Sequence, residues 1–264
     1  MENSALTSSE LALIEAELAK RPNRVVALQL PRVGDVFIKR MEPARGKMGY
    51  TVLGVVSRLL RQPMLRPVYA PGGAEAQRIE VRRLNTLRQS GVNVPKVLHV
   101  TADWFVMTSV GQKSLEACMS EFPDQTVDYF ADAAQNIAQL HHKGQNLSQA
   151  FVRNITCQDS VIGFIDFEDD PAADLGLTLA QARDWLLFAH SSAPLLNDCL
   201  DSAVNALRNA VAQDNPVVQQ QFHQALRQLT WLGRLPNNRQ RWGRDVTVAY
   251  HSGQLFKRYL EILG

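Results

Sequence analysis

Five acidic residues follow a short apolar segment in the middle of the chain, and carboxylates at this spacing can bind a divalent cation. The segment runs from Val161 to Ile165, and its β-branched residues predict a buried strand that ends at Asp166. The five carboxylates, all within nine residues, are Asp166, Glu168, Asp169, Asp170 and Asp174. Because Mg²⁺ is usually bound by one or two carboxylates and by substrate phosphates, we interpret the cluster as a site for magnesium-bound phosphate. For Asp169 and Asp170, however, we prefer the interpretation as a solvated acidic turn.

The residues around Asp166 resemble a segment of known kinases. The strand is followed by Asp166-Phe167-Glu168, an acidic turn with Pro171, and Asp174-Leu175-Gly176 at the beginning of a helix. This order resembles the aminoglycoside phosphotransferases, the choline kinases and the kinases of lipopolysaccharide core sugars such as Kdo and heptose, which share the protein-kinase-like fold. Upstream, LHHKGQ ends an amphipathic helix and resembles the start of the catalytic loop in the lipopolysaccharide group. Asn154 matches the metal-binding asparagine of that loop.

The resemblance covers residues 25–189 and implies ATP and Mg²⁺ as ligands. It places Mg²⁺ on Asn154 and Asp166, with Asp166 also in the catalytic machinery. It further implies that Asp174 steadies the catalytic loop through a hydrogen bond.

The N-terminal half predicts the elements that would position the phosphates. Val25–Leu30 and 35–41 read as two strands around a turn, with Lys39 in the second strand. Lys39 matches the strand lysine that contacts nucleotide phosphates in kinases. Residues 74–90 predict a helix, on which Glu80 is the candidate to orient Lys39 and Glu75 the alternative.

The next segment predicts a linker between two lobes. Residues 97–100 and 104–110 read as strands, Gly111 breaks the pattern, and a helix begins near Ser114. In the related kinases the linker backbone receives adenine, so Thr108 and Val110 are candidates for nucleotide contacts. The expected fold is therefore α+β and two-lobed: residues 1–111 form a small β-rich lobe with a leading helix over 1–21, capped near Ser8 or Ser9. Residues 112–264 form a mostly helical lobe, with helices over 179–189, 194–212, 217–235 and 246–263.

Two departures from the kinase pattern bear on activity. Five residues before Asn154, where these kinases carry the aspartate that accepts the acceptor's proton, stands Gln149. An amide is not a general base, and His142, Asp159 or Glu168 are the alternatives. We interpret His141 and His142 as one helix cap and one packed side chain.

The second departure is the absence of a glycine-rich phosphate loop between Val25 and Lys39. Only Gly34 would bring backbone N–H groups near phosphate there. Arg32 beside it is either a phosphate contact or an ordinary surface arginine.

Composition narrows the class of protein. The chain has 264 residues, a formal net charge of +2 and 45% hydrophobic residues, so it is neither disordered nor strongly basic. We expect reduced, buried cysteines, no signal peptide and no transmembrane segment, because no apolar run approaches the ~20 residues that span a bilayer. The expected location is the cytoplasm, either free or at the inner face of the cytoplasmic membrane.

Two basic segments leave alternatives open. Residues 46–69 interleave apolar residues with Arg58, Arg61 and Arg66, which predicts either a helix on anionic lipid or, as we prefer, a cover over the small lobe. Residues 233–245 carry four arginines and Trp242 and are interpreted as a solvated loop rather than a clamp in the cleft. Arg183 and Asp184 are interpreted as an internal salt bridge. No nucleic-acid partner is expected.

Three functions follow as hypotheses. The first is an atypical kinase-like phosphotransferase acting on a lipopolysaccharide sugar or another small or lipid-linked acceptor. The second is a pseudokinase, a nucleotide-binding or interaction module without catalysis. The third is an aminoglycoside or choline kinase-like enzyme with a soluble substrate, although such enzymes normally keep the catalytic aspartate.

Overall fold

The computed structural model describes residues 6–41, 64, 68, 71–158 and 161–263. Its architecture is α+β, as predicted: a small antiparallel sheet precedes a mostly helical remainder. The N-terminal elements are α1 (Ser8–Lys20), β1 (Val25–Leu30), β2 (Gly34–Arg40), α2 (Gly73–Gln89), β3 (Val97–Val100) and β4 (Trp104–Thr108). A second group comprises β5 (Lys113–Ser114), α3 (Leu115–Glu121), α4 (Thr126–His142), β6 (Ile155–Gln158) and β7 (Val161–Phe164). The last elements are α5 (Pro171–Leu175), α6 (Leu177–Ser192), α7 (Leu200–Val211), α8 (Pro216–Leu229), α9 (Arg239–Trp242) and α10 (Arg244–Leu263).

The N-terminal sheet has the strand order β1-β2-β4-β3, with antiparallel neighbours. Side chains of β2 alternate between its two faces, as strand geometry requires. Ile38 packs under α1 in an apolar cluster with Ile14 and Val106. Lys39 faces the opposite side, and Arg40 turns back to donate a hydrogen bond to the carbonyl of Arg21 at the end of α1 (2.7 Å). The strand that carries Lys39 is thus fixed against a helix on its other face.

The beginning of α1 differs from the prediction by one residue. Thr7, not Ser8 or Ser9, is the N-cap, and it forms a capping box with Glu10. The predicted helix over 194–212 begins only at Leu200, because two short 3₁₀ turns precede it. The one over 217–235 ends at Leu229 and continues as a 3₁₀ segment.

The larger core lies in the helical part. Phe130 of α4 stacks on Phe188 of α6 with ring centroids 4.8 Å apart, and both rings are fully buried. The same apolar cluster includes Leu84 and Leu87 of α2 and Phe105 of β4. Because one core joins α2 and β4 to the helical part, the cleft between them has continuous support.

Several sequence expectations concern residues outside the described ranges. The basic segment 46–69 lies there except for Met64 and Val68, and so does Asp159. Cys118 and Cys157 are buried, whereas Cys199 is half-buried rather than buried as expected. Of the helices in the described ranges, none combines the length and apolar composition needed to cross a membrane.

Candidate functional site

The β6–β7 hairpin brings Asn154 and Asp166 together. Ile155 pairs with Phe164, so the residues just before β6 and just after β7 lie side by side. The backbone N–H of Ile165 donates to the carbonyl of Asn154 at 3.0 Å. Two residues that are twelve positions apart in the chain therefore occupy one edge of the hairpin.

Asp166 has an unusual backbone conformation. Its φ of 70° makes it the one non-glycine residue with positive φ in the described part of the chain. Such a conformation costs about 1–3 kcal/mol and persists where surrounding contacts hold it, often at functional sites. The side chain of Asp166 accepts a hydrogen bond from Lys39 Nζ at 2.9 Å.

Lys39 is surrounded by three carboxylates. Its Nζ lies 2.8 Å from Glu80, 2.9 Å from Asp166 and 2.9 Å from Glu168. The side chains of Lys39 and Glu80 are only 7% and 2% exposed. The structure therefore brings together the predicted lysine and helix carboxylate, whereas the alternative, Glu75, is exposed.

Burial and charge oppose each other at Glu80. Burial raises the pKa of its carboxyl, although the neighbouring Lys39 acts to lower it. A buried charge pair of this kind is retained only where its partners are well placed.

Arg24, which the sequence analysis did not identify, completes this cluster. Its guanidinium contacts Glu168 Oε1, the same oxygen that Lys39 contacts. Arg24 lies directly before β1, and its carbonyl accepts a hydrogen bond from the N–H of Arg40 at 2.8 Å. Only one indication of this role was present in the sequence: Arg24 is a basic residue directly before β1, the strand that pairs with the strand of Lys39.

Arg24, Lys39, Glu80 and Asp166 line a cleft of about 430 Å³ between the sheet and the helical part. A volume of this size falls in the usual range for small-molecule sites. The cleft has apolar walls, formed by Val25, Phe37, Met107 and Ile165. Val25 is 45% exposed, so its side chain remains available to a flat apolar ligand.

The end of β4 and the residues directly after it also line the cleft. Both predicted linker residues, Thr108 and Val110, line it. The carbonyl of Val110 accepts a hydrogen bond from Thr156 Oγ1 at 2.9 Å. A Cβ atom at Gly163 would lie 2.6 Å from Thr156 Oγ1 and 2.9 Å from the Val110 carbonyl oxygen. Only glycine at this position allows the linker to pack so closely on β7.

Gln149 supports the site mainly through its backbone. Its carbonyl accepts a hydrogen bond from Asn154 Nδ2 at 3.2 Å, which leaves the Asn154 amide oxygen as the atom for a cation. Its side chain is not among those that line the cleft and reaches Asp169 Oδ2 at 3.4 Å.

Asp169 and Asp170 are not parts of a solvated acidic turn. Asp169 is 4% exposed, and burial raises its pKa to about 6 although Arg183 acts in the opposite direction. Asp170 forms an ion pair with Arg82 of α2 at 2.9 Å. Protein cations therefore neutralise much of the acidic cluster that we interpreted as a cation site.

Asp184 anchors the segment between α4 and Asn154. Its carboxylate accepts hydrogen bonds from the N–H of Leu147 at 2.6 Å and from His141 Nε2 at 3.2 Å. Asp174, for which this contact with the loop was predicted, is exposed on α5. Asp184 also interacts electrostatically with Arg183, with which we interpreted it as paired.

His141 is buried, as expected for the packed histidine of the pair, and His142 is the last residue of α4. His141 Nδ1 lies 2.5 Å from Asp214, whereas His142 is exposed and not in the cleft. Burial alone would lower the pKa of His141, but the hydrogen bonds to Asp184 and Asp214 outweigh it and raise the pKa. His141 is therefore a structural residue under the loop, and its contacts with two carboxylates favour the protonated form.

A second arginine links α2 to the loop. Arg83, one turn after Glu80, donates a hydrogen bond to the carbonyl of Asn146. Its guanidinium carbon lies 6.0 Å from the ring centre of Phe167, the residue after Asp166. The helix that carries Glu80 thus also contacts both segments that carry Asn154 and Asp166.

The turn between β1 and β2 is far from Lys39, so Gly34 does not bring its backbone close to this lysine. Leu30 pairs with Gly34, whereas Val25 pairs with Lys39. Five residues of antiparallel strand, about 17 Å, separate the two positions. Arg32 in this turn forms an ion pair with Glu10 at 3.3 Å and does not line the cleft.

The basic C-terminal stretch lies elsewhere. Its described side chains do not line the cleft, and part of it is helical, as the 3₁₀ segment to Arg234 and as α9. The solvated loop that we predicted there is therefore restricted to residues 235–238 and Gly243.

The donor set fits Mg²⁺ that arrives with phosphate. No three His, Cys, Asp or Glu side chains of the described residues converge as a metal cage. Asn154 and Asp166 supply one amide and one carboxylate oxygen, and Mg²⁺ is commonly held by so few protein ligands when phosphates complete its coordination.

A scan against models of known protein families finds no match for this chain, and a search of curated protein sequences also finds none. The assignment of this site therefore rests on its geometry.

Proposed function

We propose that the protein is an atypical kinase-like phosphotransferase that uses Mg-ATP, with the two-lobed arrangement of the protein-kinase-like fold. The observation that carries this proposal is the contact of Lys39 with both Glu80 and Asp166 inside one cleft. In kinases the strand lysine pairs with a helix glutamate, and this pair and the metal-binding aspartate must both be in place.

The cleft offers a place for each part of the nucleotide. The apolar walls around Val25 and Phe37 suit a purine ring, and the backbone of 108–110 suits its edge. Lys39 contacts the phosphates, Glu80 orients Lys39, and Asn154 and Asp166 hold Mg²⁺. Asn154 and Asp166 would hold the metal ion, which would supply positive charge against the negative charge that develops during transfer.

The acceptor is an alcohol, and we propose a sugar or a lipid-linked sugar. This choice rests on the resemblance of the loop around Asn154 to the lipopolysaccharide kinases. It places the protein in the cytoplasm, free or at the inner face of the membrane.

Catalysis without a loop aspartate is expected to be slow. Phosphoryl transfer passes through a loose transition state, so positioning and charge stabilisation contribute most of the rate. A general base typically adds about 10²- to 10⁴-fold. The amide of Gln149 cannot act as a base and so cannot provide this rate increase, although the proposed phosphate and metal contacts are present.

Gln149 also favours a second candidate function, a pseudokinase that binds Mg-ATP without transferring phosphate. Both functions require the nucleotide site, and they differ only in the chemical step.

The first test is thermal unfolding with ATP, with Mg²⁺, and with both. We expect the melting temperature to rise clearly only with both, because Asn154 and Asp166 alone are a weak metal site. A ligand at one hundred times its Kd stabilises a protein by about 2.7 kcal/mol, which this assay resolves easily. No shift at millimolar Mg-ATP would contradict both candidate functions.

Replacing Gln149 with Asp separates the two candidates. The new carboxylate would lie next to Asp169, whose pKa burial already raises to about 6. Two adjacent carboxyls share a proton near neutrality, so the gain in ATP turnover should be larger at pH 8 than at pH 6. ATP affinity should not change, since a base acts on the chemical step.

The parent protein is the reference for this comparison. If the parent turns over ATP and the variant does so faster, the slow phosphotransferase is supported. If both bind Mg-ATP and neither turns over, the pseudokinase is supported.

A further inference from the structure

A triphosphate bound at Lys39 needs more than one cationic contact, and the β1–β2 turn does not provide it. That turn lies about 17 Å from Lys39 along the antiparallel strands. The other end of the same hairpin, where β1 begins and β2 ends, is the end beside Lys39. The residue at that end is Arg24, whose carbonyl extends the strand pairing by one step.

Arg24 and Lys39 converge on a single anionic oxygen. Both contact Glu168 Oε1, Lys39 from 2.9 Å. The Arg24 side chain is 32% exposed and lines the cleft together with Lys39 and Asp166. Two cations that meet at one oxygen form the arrangement that also binds a phosphate oxygen, and the guanidinium fork matches phosphate geometry particularly well.

The charges of the cluster favour replacement of the Glu168 carboxylate by phosphate as the partner of Arg24. Two cations, Lys39 and Arg24, face the carboxylates of Glu80, Asp166 and Glu168. The cluster has one carboxylate more than it has protein cations. A magnesium-bound triphosphate would add a cation to balance that carboxylate, and its phosphate oxygens could contact Lys39 and Arg24. Glu168 would then release Arg24 to the phosphates.

We propose that Arg24 binds the terminal phosphates of the nucleoside triphosphate and supplies the contact that a glycine-rich loop supplies in other kinases. This inference rests on the proposed function, since it concerns the same cleft. It identifies the arginine rather than a loop backbone as the residue that distinguishes a triphosphate from a nucleoside.

The test is calorimetric titration of R24Q with ATP, ADP and adenosine in the presence of Mg²⁺. We expect affinity for ATP to fall about tenfold or more, because a charged hydrogen bond to phosphate is lost. Affinity for adenosine should stay unchanged. R24K, which keeps the charge but not the fork, should bind ATP with intermediate affinity and serves as the measurement if R24Q does not fold.

Arg21 provides a matched control. It lies three residues earlier, its side chain is 52% exposed, and it pairs with Glu17 rather than with the cleft. R21Q should bind ATP as the parent does.

Three results would overturn the proposal. Unchanged ATP affinity in R24Q and R24K would do so while leaving the proposed function intact. An equal loss for adenosine and ATP would show a structural effect instead of a phosphate contact. Failure of the parent to bind Mg-ATP would remove the proposed function and this inference with it.

Discussion

Replacing Asp166 with Asn should abolish the Mg²⁺-dependent part of ATP binding while the protein stays folded. The substitution removes the only charged metal ligand that we assign. Asn tolerates positive φ better than other residues, so it keeps the backbone conformation that Asp166 adopts at 70°. Titration with ATP should show the same affinity with and without Mg²⁺ in the variant, whereas the parent should bind at least tenfold more tightly with the metal.

Asp170→Asn is the control for this experiment. Asp170 belongs to the same acidic segment but pairs with Arg82 and does not line the cleft. The Mg²⁺ dependence of ATP affinity in Asp170→Asn should match that of the parent protein. Equal Mg-ATP affinity in Asp166→Asn and the parent would show that the metal site is wrongly assigned.

Replacing Asp184 with Ala should destabilise the protein by about 3–5 kcal/mol, the usual effect of removing one partner from a buried charge pair. The side chains of Asp184 and His141 are fully buried. Removal of the carboxylate leaves the N–H of Leu147 without its acceptor and a protonated His141 with Asp214 alone. The midpoint of urea unfolding should fall markedly, with no change in the slope.

A surface pair provides the comparison. Asp201 forms an ion pair with Arg258 at 2.6 Å, but its side chain is 68% exposed. Asp201→Ala should shift the urea midpoint far less, because water and salt screen exposed pairs. Similar midpoints for the two variants would contradict the anchoring role of Asp184.

Local patterns were sufficient to predict the elements that carry Lys39 and Glu80. Strand alternation distinguishes Lys39 from Arg40, and a run of helix-forming residues with a glycine stop locates α2. Once a strand and a helix face the same cleft, one lysine and one glutamate are in reach of each other. Local patterns thus located the two elements, whereas the pairing of Lys39 with Glu80 was implied by the resemblance to kinases.

The contacts between distant segments were not predictable in this way. Arg24 reaches Glu168 across 144 residues, and His141 reaches Asp214 across 73. Neither pair has a periodic or spacing signal, because each depends on how whole elements pack. Asp169 shows the same limit: its place in an acidic turn after a strand suggested exposure to solvent, yet packing buries it.

The two contacts on α2 have a consequence for how substitutions combine. Glu80 sets the position of Lys39, and Arg83, three residues later, contacts the carbonyl of Asn146 and the ring of Phe167. Because one rigid helix carries both, a shift that weakens one contact also displaces the other. The effects of changes at these positions should therefore be non-additive, and mutational tolerance at residue 80 depends on which residue occupies position 83.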